Sequence, residues 1–478
     1  MTSSLPDLHK LETATPRWRV DTGLPIMGTP ALARVATSTV AIFGCGGRSA
    51  STGGIAVVEA RTGKLVWQFD AAAGVEGGAA IDQSAENNAR VYFGDQQGKL
   101  HCVDIDARRE VWQAGLDGAI VAAPTLHKGR VIVGTGTGVV AWFDAQSGQL
   151  LGTERIQSQL VSAQPIHLPQ EPRPTHDLMR ELRTRMDELF SLDEIDLLFR
   201  DLGYDPDDLE KRSKEPRLGE ILLYVQRRGR LPDLVMLCQK ERPHIQWPTP
   251  GSLPVPAAPI EPAKLANQPG RQSARIVSSP IVMNVTQAEH IFVGALDGGV
   301  YRIVPSQAGI TRVLDAGVAL YAAPHASTNG SGHVLLAAHS GDIVVVDLVS
   351  GKDIWRVATG TPIRATPLLA NGTIYAGTHG RTVHAFDLAT GREYWKLPWH
   401  NSITTTPLLV QGRLIFGDTL GRVVCIDAAT QLPCWVFDAQ ANKPGQNNLP
   451  AAVFGGFALH EGLAIFGAHN GCAYAIAV

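Results

Sequence analysis

A four-residue signature returns along the chain at a spacing that only a repeat architecture produces. Gly417 is followed four residues on by Gly421, six further by Asp427 and eight further by Trp435. Gly94, Gly98, Asp104 and Trp112 keep the same spacing, and three of the four landmarks recur at Gly341, Asp347 and Trp355 and at Gly377, Asp387 and Trp395. A unit of about 40 residues repeated in this way buries its apolar face against copies of itself, in a solenoid or a propeller.

Each signature sits among four short apolar runs separated by Gly, Asn or Asp, which is the pattern of a propeller blade. The first blade takes a strand at Pro30, then Val40 to Gly44, Ile55 to Val58 and Leu65 to Trp67, with a loop enlarged from Gly46 to Gly54. The second uses Val91 to Gly94, Leu100 to Asp104 and Val111 with Trp112, and the third uses Pro124, Val131 to Gly134, Gly138 and Asp144. Later blades start at Pro280, Pro324, Pro367 and Pro407, and a last one, from Phe457 to Val478, stops after its third strand. The missing strand is supplied by Arg17 to Val20 at the other end of the chain, a closure that removes two exposed sheet edges. Residues 1–15 are polar and aperiodic and read as a loose lead-in.

The expected fold is therefore mainly β, an eight-bladed propeller closed by its N-terminal strand. Seven blades is the alternative count, because Val161 to His167 and Ile276 to Met283 both read as a first strand. The landmark residues have packing roles in such a fold. Glycine takes positive φ or lets another segment approach closely, and aspartate binds backbone amides in the following turn. Tryptophan is a large apolar plate with one donor, suited to wedging between blades. Trp18, Trp67, Trp112, Trp355, Trp395 and Trp435 are the expected docking residues.

After Ile166 the register breaks. The propeller is expected over 16–167 and 275–478, an inserted helical domain over 175–247, and a linker over 248–274 with seven prolines between Pro248 and Gly270. His176 to Trp247 holds 13 Lys/Arg and 16 Asp/Glu in 72 residues, against 29 and 29 in the other 406, and that shift marks a separate domain. Leu178, Leu182, Met186, Leu189 and Phe190 space as one helix face, and Ser191 to Glu194 is a capping box opening a second helix with Ile195, Leu198, Phe199 and Leu202 inside. Leu218, Ile221, Leu222 and Val225 mark a third helix and Leu234, Val235 and Leu237 a fourth, which together make a small bundle.

Charge is segregated within the insert. From Asp187 to Glu210 there are ten acids, among them Asp193, Glu194, Asp201, Asp207 and Asp208, against one base. From Lys211 to Arg230 there are seven bases, among them Lys211, Arg212, Arg227, Arg228 and Arg230, against two acids. A domain acidic on one flank and basic on another can bind its own kind head to tail; the alternative is that these are solvated helix faces.

Composition narrows the partners. A formal net charge of −3 steers the chain toward neither nucleic acid nor an anionic membrane. The cysteines at 45, 102, 238, 425, 434 and 472 form no CxxC pair and no zinc spacing. The N-terminus has no basic segment leading into an apolar run, and no apolar stretch is long enough to span a bilayer, so a cytoplasmic protein is expected.

No HExxH, Walker loop or GxSxG elbow occurs, and the glycine-rich run from Gly134 to Gly138 falls on a repeat turn with no helix after it. No catalytic residue and no cofactor is expected. Two binding features remain. His339, His379 and His469 occupy one equivalent position in three blades, a histidine ring that could bind a metal or an anion; the alternative is three exposed turn residues too far apart to converge. Arg364 stands three before Pro367, where other blades place Met27, Val121, Val277, Tyr321 and Thr404, so Arg364 with Tyr321 could meet an acidic ligand in the central channel or form a structural pair there.

The Gly, Asp and Trp pattern resembles the quinoprotein-like (pyrroloquinoline-quinone-like) β-propeller repeats, over nearly all of the chain outside the insert. Val304, Arg312 and Gly152 replace an expected Asp or Trp, and Ala337 replaces a Gly, so those blades are expected to be less regular. The resemblance implies the fold. In members that carry the quinone it also implies oxidoreductase chemistry with calcium and, in some, adjacent cysteines, which this sequence lacks.

Leu189 to Ile195, Phe199 to Asp205 and Tyr224 to Leu234 resemble the effector-associated, death-like domains of bacterial conflict systems. That resemblance implies adaptor work, in which like domains on two proteins pair and bring a sensor to an effector. The expectation is a non-enzymatic sensor or adaptor with an effector bearing a similar domain as partner and self-association through the insert. The alternatives are a quinone-dependent oxidoreductase and a plain interaction scaffold.

Overall fold

The structure, a computed structural model, describes residues 5–6, 11–46, 52–83, 89–156, 182, 185–191, 195, 198, 218, 222, 231–242, 245, 247, 275–285, 288–307, 309–315, 319–326, 333–347, 352–442 and 451–478. The chain divides into two compact units, Met1–Ser158 with Gly270–Val478, and Gln159–Pro269.

The first unit is an eight-bladed propeller. Each blade is an antiparallel four-stranded meander, and the eight sheets follow one another in chain order. Blade one runs from Ala31–Val35 to Leu65–Ala71, blade two from Ala80–Asp82 to Arg109–Gly115, and blade three from Thr125–His127 to Leu150–Arg155. Blade four runs from Ile281–Val285 to Ile310–Asp315, blade five from His325–Ala326 to Lys352–Ala358, and blade six from Leu368–Ala370 to Glu393–Pro398. Blade seven runs from Leu408–Val410 to Pro433–Asp438. Blade eight takes three strands from the C-terminus, and Trp18–Asp21 pairs antiparallel with Cys472–Ala477 to complete it. The alternative count is thereby settled at eight, with Ile281–Val285 as the first strand of blade four; Val161 to His167 lies outside the described residues.

Local chemistry sets each hairpin. The first two strands of four blades are joined by Lys128-Gly129, Asn371-Gly372, Gln411-Gly412 and Glu461-Gly462, with positive φ at both residues, the two-residue turn whose twist matches the flanking strands. In the turn between the third and fourth strands the repeat aspartate accepts backbone amides, Asp144 Oδ1 from Ser147 at 2.8 Å and Asp427 Oδ1 from Thr430 at 2.7 Å.

The two repeat glycines have different jobs. The second, as at Gly98 and Gly421, has φ of +83° and +84°. The first makes room: a Cβ on Gly94, Gly134, Gly377 or Gly467 would overlap Ile120, Ile276, Ile403 or Ile26, the fully buried residue of the loop leading into the next blade. Burying such an isoleucine stabilises by roughly 1.5–3 kcal/mol, and the cavity it fills exists because the glycine has no side chain.

Tryptophans dock blade on blade. Trp112 Nε1 donates to Ala145 O at 3.1 Å, and Trp355 Nε1 to Leu388 O at 2.9 Å, each onto the following blade. The ring lies on a turn glycine, with Gly148 and Gly391 so placed that a Cβ would fall 2.5 and 2.6 Å from the indole. Trp67, Trp395 and Trp435 each join a core cluster shared by their own blade and the next. A β-bulge at the residue before each tryptophan, as at Val111 between Glu110 and Trp112, turns the indole toward its neighbour.

The expected irregular blades are repaired from within. Gly152 stands where blade three lacks its tryptophan, and Trp142 of the adjacent strand lies against it so closely that no Cβ would fit. In blade four Arg312 replaces tryptophan and holds its guanidinium 5.8 Å from the centre of the Tyr301 ring.

One expectation is corrected. Residues 1–15 are not a loose lead-in throughout, because Glu12–Thr13 pairs parallel with Pro433–Asp438, adding a fifth strand to blade seven. The outer strand of blade seven offered free backbone groups, and the chain leading to blade eight passes beside them. Pro6 O lies 2.8 Å from His400 Nε2, just past the outer strand of blade six.

The insert replaces the crossing from blade three to blade four. Ile156 donates its amide to Gly138 O at 2.9 Å and Ile276 donates to Thr135 O at 3.1 Å, so both ends of the propeller chain are tied to one turn of blade three. Ile156 and Ile276 are buried in the same cluster.

The second unit has its own core. Leu182, Met186, Phe190, Ile195, Leu198, Leu218, Leu222, Leu234, Val235, Cys238 and Trp247 form one buried cluster, which joins the faces expected of all four helices. Helix α1 spans Leu231–Glu241, and Trp247 Nε1 donates to Arg242 O at 3.2 Å just beyond it.

Candidate functional site

Two sets of loops surround the propeller axis on one face: the turn between the second and third strands, and the loop entering each innermost strand. They are stitched together by main-chain bonds. In blade five His339 N donates to Ala319 O at 3.0 Å, in blade six His379 N to Pro362 O at 2.8 Å, and in blade eight His469 N to Ala452 O at 2.9 Å. Two positions therefore recur around the axis, one in each loop set.

The position in the entering loop is Met27, Glu76, Val121, Val277, Tyr321, Arg364, Thr404 and Phe454 in blades one to eight. The position in the strand turn is Gly46, Gln96, Gly136, Leu296, His339, His379, Thr419 and His469. Blades five to eight hold the histidines, both aromatic rings and the arginine. Blades one to four are small or aliphatic apart from Glu76 and Gln96.

The structure brings three of the sequence-predicted residues together. The Arg364 guanidinium lies 5.5 Å from the centre of the Tyr321 ring, and the Tyr321 ring lies 5.1 Å from that of His339. A cation over an aromatic face is attracted by the ring quadrupole, so the three form one half-buried polar-aromatic wall. His469 repeats the relation in blade eight, edge-on to Phe454 at 5.8 Å. The histidines do not meet as a metal centre: among the described residues no group of three or more His, Cys, Asp or Glu could hold an ion.

A count back from the blade proline does not reach Glu76 and Phe454, because their blades have Ala79 and Phe457 in its place. Glu76 is buried, and it stands four blades from Arg364, on the opposite side of the ring.

A second pair of equivalent sites was also missed. His101 Nδ1 lies 2.7 Å from Glu110 Oε1 in blade two, and His384 Nδ1 lies 2.7 Å from Glu393 Oε1 in blade six. Both histidines are buried, three residues before the repeat aspartate, and each glutamate is two before the tryptophan. Burial depresses both, yet His101 ends above the ordinary range because Asp95, 3.4 Å from Nε2, joins Glu110 in holding its proton. His384 has Thr378 at the equivalent turn position and stays depressed, with burial the largest cause.

All six cysteines are free, and Cys45, Cys102, Cys238, Cys425 and Cys472 are buried. Burial pushes the Cys45 thiol up to about 11 and the Cys102 thiol up to about 12, which makes them core residues rather than nucleophiles. The charged residues expected on the insert surface, Asp193, Glu194, Asp201, Asp207, Asp208, Lys211, Arg212, Arg227, Arg228 and Arg230, lie outside the described residues.

These features define an eight-bladed propeller of quinoprotein-like repeats that carries an inserted helical module. A family model described as outer membrane protein assembly factor BamB matches residues 51–168 and 319–477, more than half of the chain, and the chain belongs to that family. A second model, effector-associated domain 7, matches residues 179–243. A propeller with an effector-associated domain set into it has the composition of a signalling or adaptor protein.

Among curated relatives, BamB of Escherichia coli (strain K12) is 24% identical over 136 residues, which cover 28% of this chain and 33% of BamB. The dehydrogenase subunit of a quinone alcohol dehydrogenase from Gluconacetobacter polyoxogenes is 31% identical over 118 residues, 20% of this chain and 16% of that one. The chain thus spans a third or less of the length of either relative. Among solved structures, BamB from Moraxella catarrhalis superposes with a TM-score of 0.56 at 12% identity over 98% of this chain and 100% of its own. Saccharomyces cerevisiae Sqt1 superposes at 0.58 and 10% identity over 98% and 99%. At such identities the likeness is one of fold.

Proposed function

We propose that the protein is a non-enzymatic, cytoplasmic sensor or adaptor of a bacterial conflict or defence system. In this reading the propeller recognises a protein or ligand, and the inserted domain recruits an effector that carries a similar domain. The observation that carries it is the effector-associated domain at residues 179–243 within a propeller that closes by pairing Trp18–Asp21 with Cys472–Ala477. The segregated charge of Asp187 to Arg230 supports pairing of like domains by opposite flanks.

Binding between the full-length protein and proteins bearing effector-associated domains tests the proposal. Affinity that falls as salt is raised is expected. No binding to such a domain, and no self-association, overturns it.

A second reading, a quinone-dependent oxidoreductase, is favoured by the stretch shared with the quinone alcohol dehydrogenase subunit. The scarcity of carboxylates in the entering loops weighs against it. A calcium-held quinone needs several oxygen ligands, whereas the eight entering-loop positions supply one carboxylate, Glu76, and no two cysteines are adjacent in sequence. A dye-linked oxidation assay with added quinone and calcium is expected to give no turnover; turnover would restore this reading.

A further inference from the structure

Between blades five and six lies a cleft of about 370 Å³, walled by Leu335, Val345, Trp355, Leu369 and Leu388, with His325, His333 and Asp387 at its sides. That volume falls within the range of small-molecule sites. No residue of the channel wall described above lines it, and it owes nothing to the adaptor reading.

At the equivalent place in blade two, a tyrosine of the chain fills the space against the tryptophan. Two residues before the first repeat glycine, blade two has Tyr92, whose ring lies 5.8 Å from that of Trp112. Its hydroxyl donates to Ala145 O at 3.0 Å, the same carbonyl that accepts Trp112 Nε1. Two residues earlier still, Arg90 donates to Gln146 O at 3.0 Å. Blade six repeats the ring with Tyr375, 6.0 Å from Trp395. Blades one, three, seven and eight use isoleucine there, and blade four uses Phe292.

In blade five the two positions are Leu335 and His333. Trp355 Nε1 still donates to Leu388 O at 2.9 Å, the counterpart of Ala145 O, and among the described residues no hydroxyl shares that acceptor. A carbonyl oxygen has two lone pairs, so one remains for a donor in the cleft. Burial depresses the His325 imidazole, and the Asp387 carboxylate is engaged by the hydroxyls of Thr390 and Tyr394.

We propose that this cleft binds a small phenol, with its ring against Leu335 and Trp355 and its hydroxyl donating to Leu388 O as Tyr92 donates to Ala145 O. The ligand occupies the place that a tyrosine of the chain takes in blade two.

The test is calorimetric titration of the full-length protein with p-cresol, with toluene as the same shape without the hydroxyl. Saturable one-to-one binding of p-cresol is expected, with toluene about fivefold weaker, the usual worth of one neutral hydrogen bond. Leu335→Tyr, which refills the position from within, is expected to abolish binding and to raise Tm. If that variant fails to fold, Leu335→Phe fills the ring space and gives the same readout. No saturation by about 10 mM, where so small a ligand in a fitted site should be bound, overturns the proposal. So does toluene binding as tightly as p-cresol, or a folded variant that binds p-cresol like the parent.

Discussion

Trp18 donates its indole N–H to the carbonyl of Ala60 at 2.9 Å, so the strand that completes the last blade also docks on the first. Trp18–Asp21 and Cys472–Ala477 share one sheet, and the closure so formed is locked sideways by the same tryptophan contact that joins blades elsewhere in the ring. Gly63, at a φ of +75°, lies under the indole.

Trp18→Ala is expected to destabilise the propeller by about 3–5 kcal/mol, the usual cost of removing a buried aromatic, because it frees the closure and the docking together. Trp18→Phe keeps most of the plate and loses the donor, and should cost about 1 kcal/mol more than packing alone explains. Denaturant unfolding of the two variants checks both values. An unchanged midpoint in Trp18→Ala would mean that closure is held elsewhere.

Gly94→Ala places a Cβ into Ile120 and should cost about 1–3 kcal/mol as overpacking. Gly98→Ala should also destabilise, for a different reason, since its φ of +83° disfavours a side chain. The two are separable in a double-mutant cycle with Ile120→Ala. The smaller partner should recover about 1 kcal/mol of the Gly94 penalty and none of the Gly98 penalty.

The twin histidines should respond oppositely to pH. His101 has a raised folded-state pKa, so its contribution is complete below its unfolded value of 6.5 and is lost as pH rises through the folded value. His384 has a depressed one, so its contribution is present above 6.5 and is lost as pH falls through the folded value. Thr378→Asp recreates beside His384 the carboxylate that Asp95 gives His101, and should move His384 upward. Imidazole carbon shifts followed by NMR across the titration check all three directions.

Much of this was legible in sequence because the repeat is enforced residue by residue. Gly94, Asp144 and Trp112 announce themselves, since each answers a local demand for close approach, a turn acceptor or a docking plate. The bundle core was legible for the same reason, with Leu182, Met186 and Phe190 spaced at helical period. What escaped was set by tertiary contact. Trp142 fills the gap left by Gly152 from a neighbouring strand, Glu12–Thr13 pairs only because the outer edge of blade seven runs beside it, and His101 meets Glu110 across two strands. The cleft at Leu335 is a small side chain where a sister blade has a large one, which shows only once the blades are superposed.

Removal of the insert tests the adaptor account most directly. Ile156 and Ile276 are anchored to the same turn of blade three, so replacing residues 159–269 by a short Gly/Ser linker should leave the propeller folded with its Tm little changed. The affinity of this variant for an effector-associated domain that binds the full-length protein is the measurement. A loss of about tenfold or more, at least 1.4 kcal/mol, is expected with the propeller intact. Undiminished binding by the propeller alone would contradict the account.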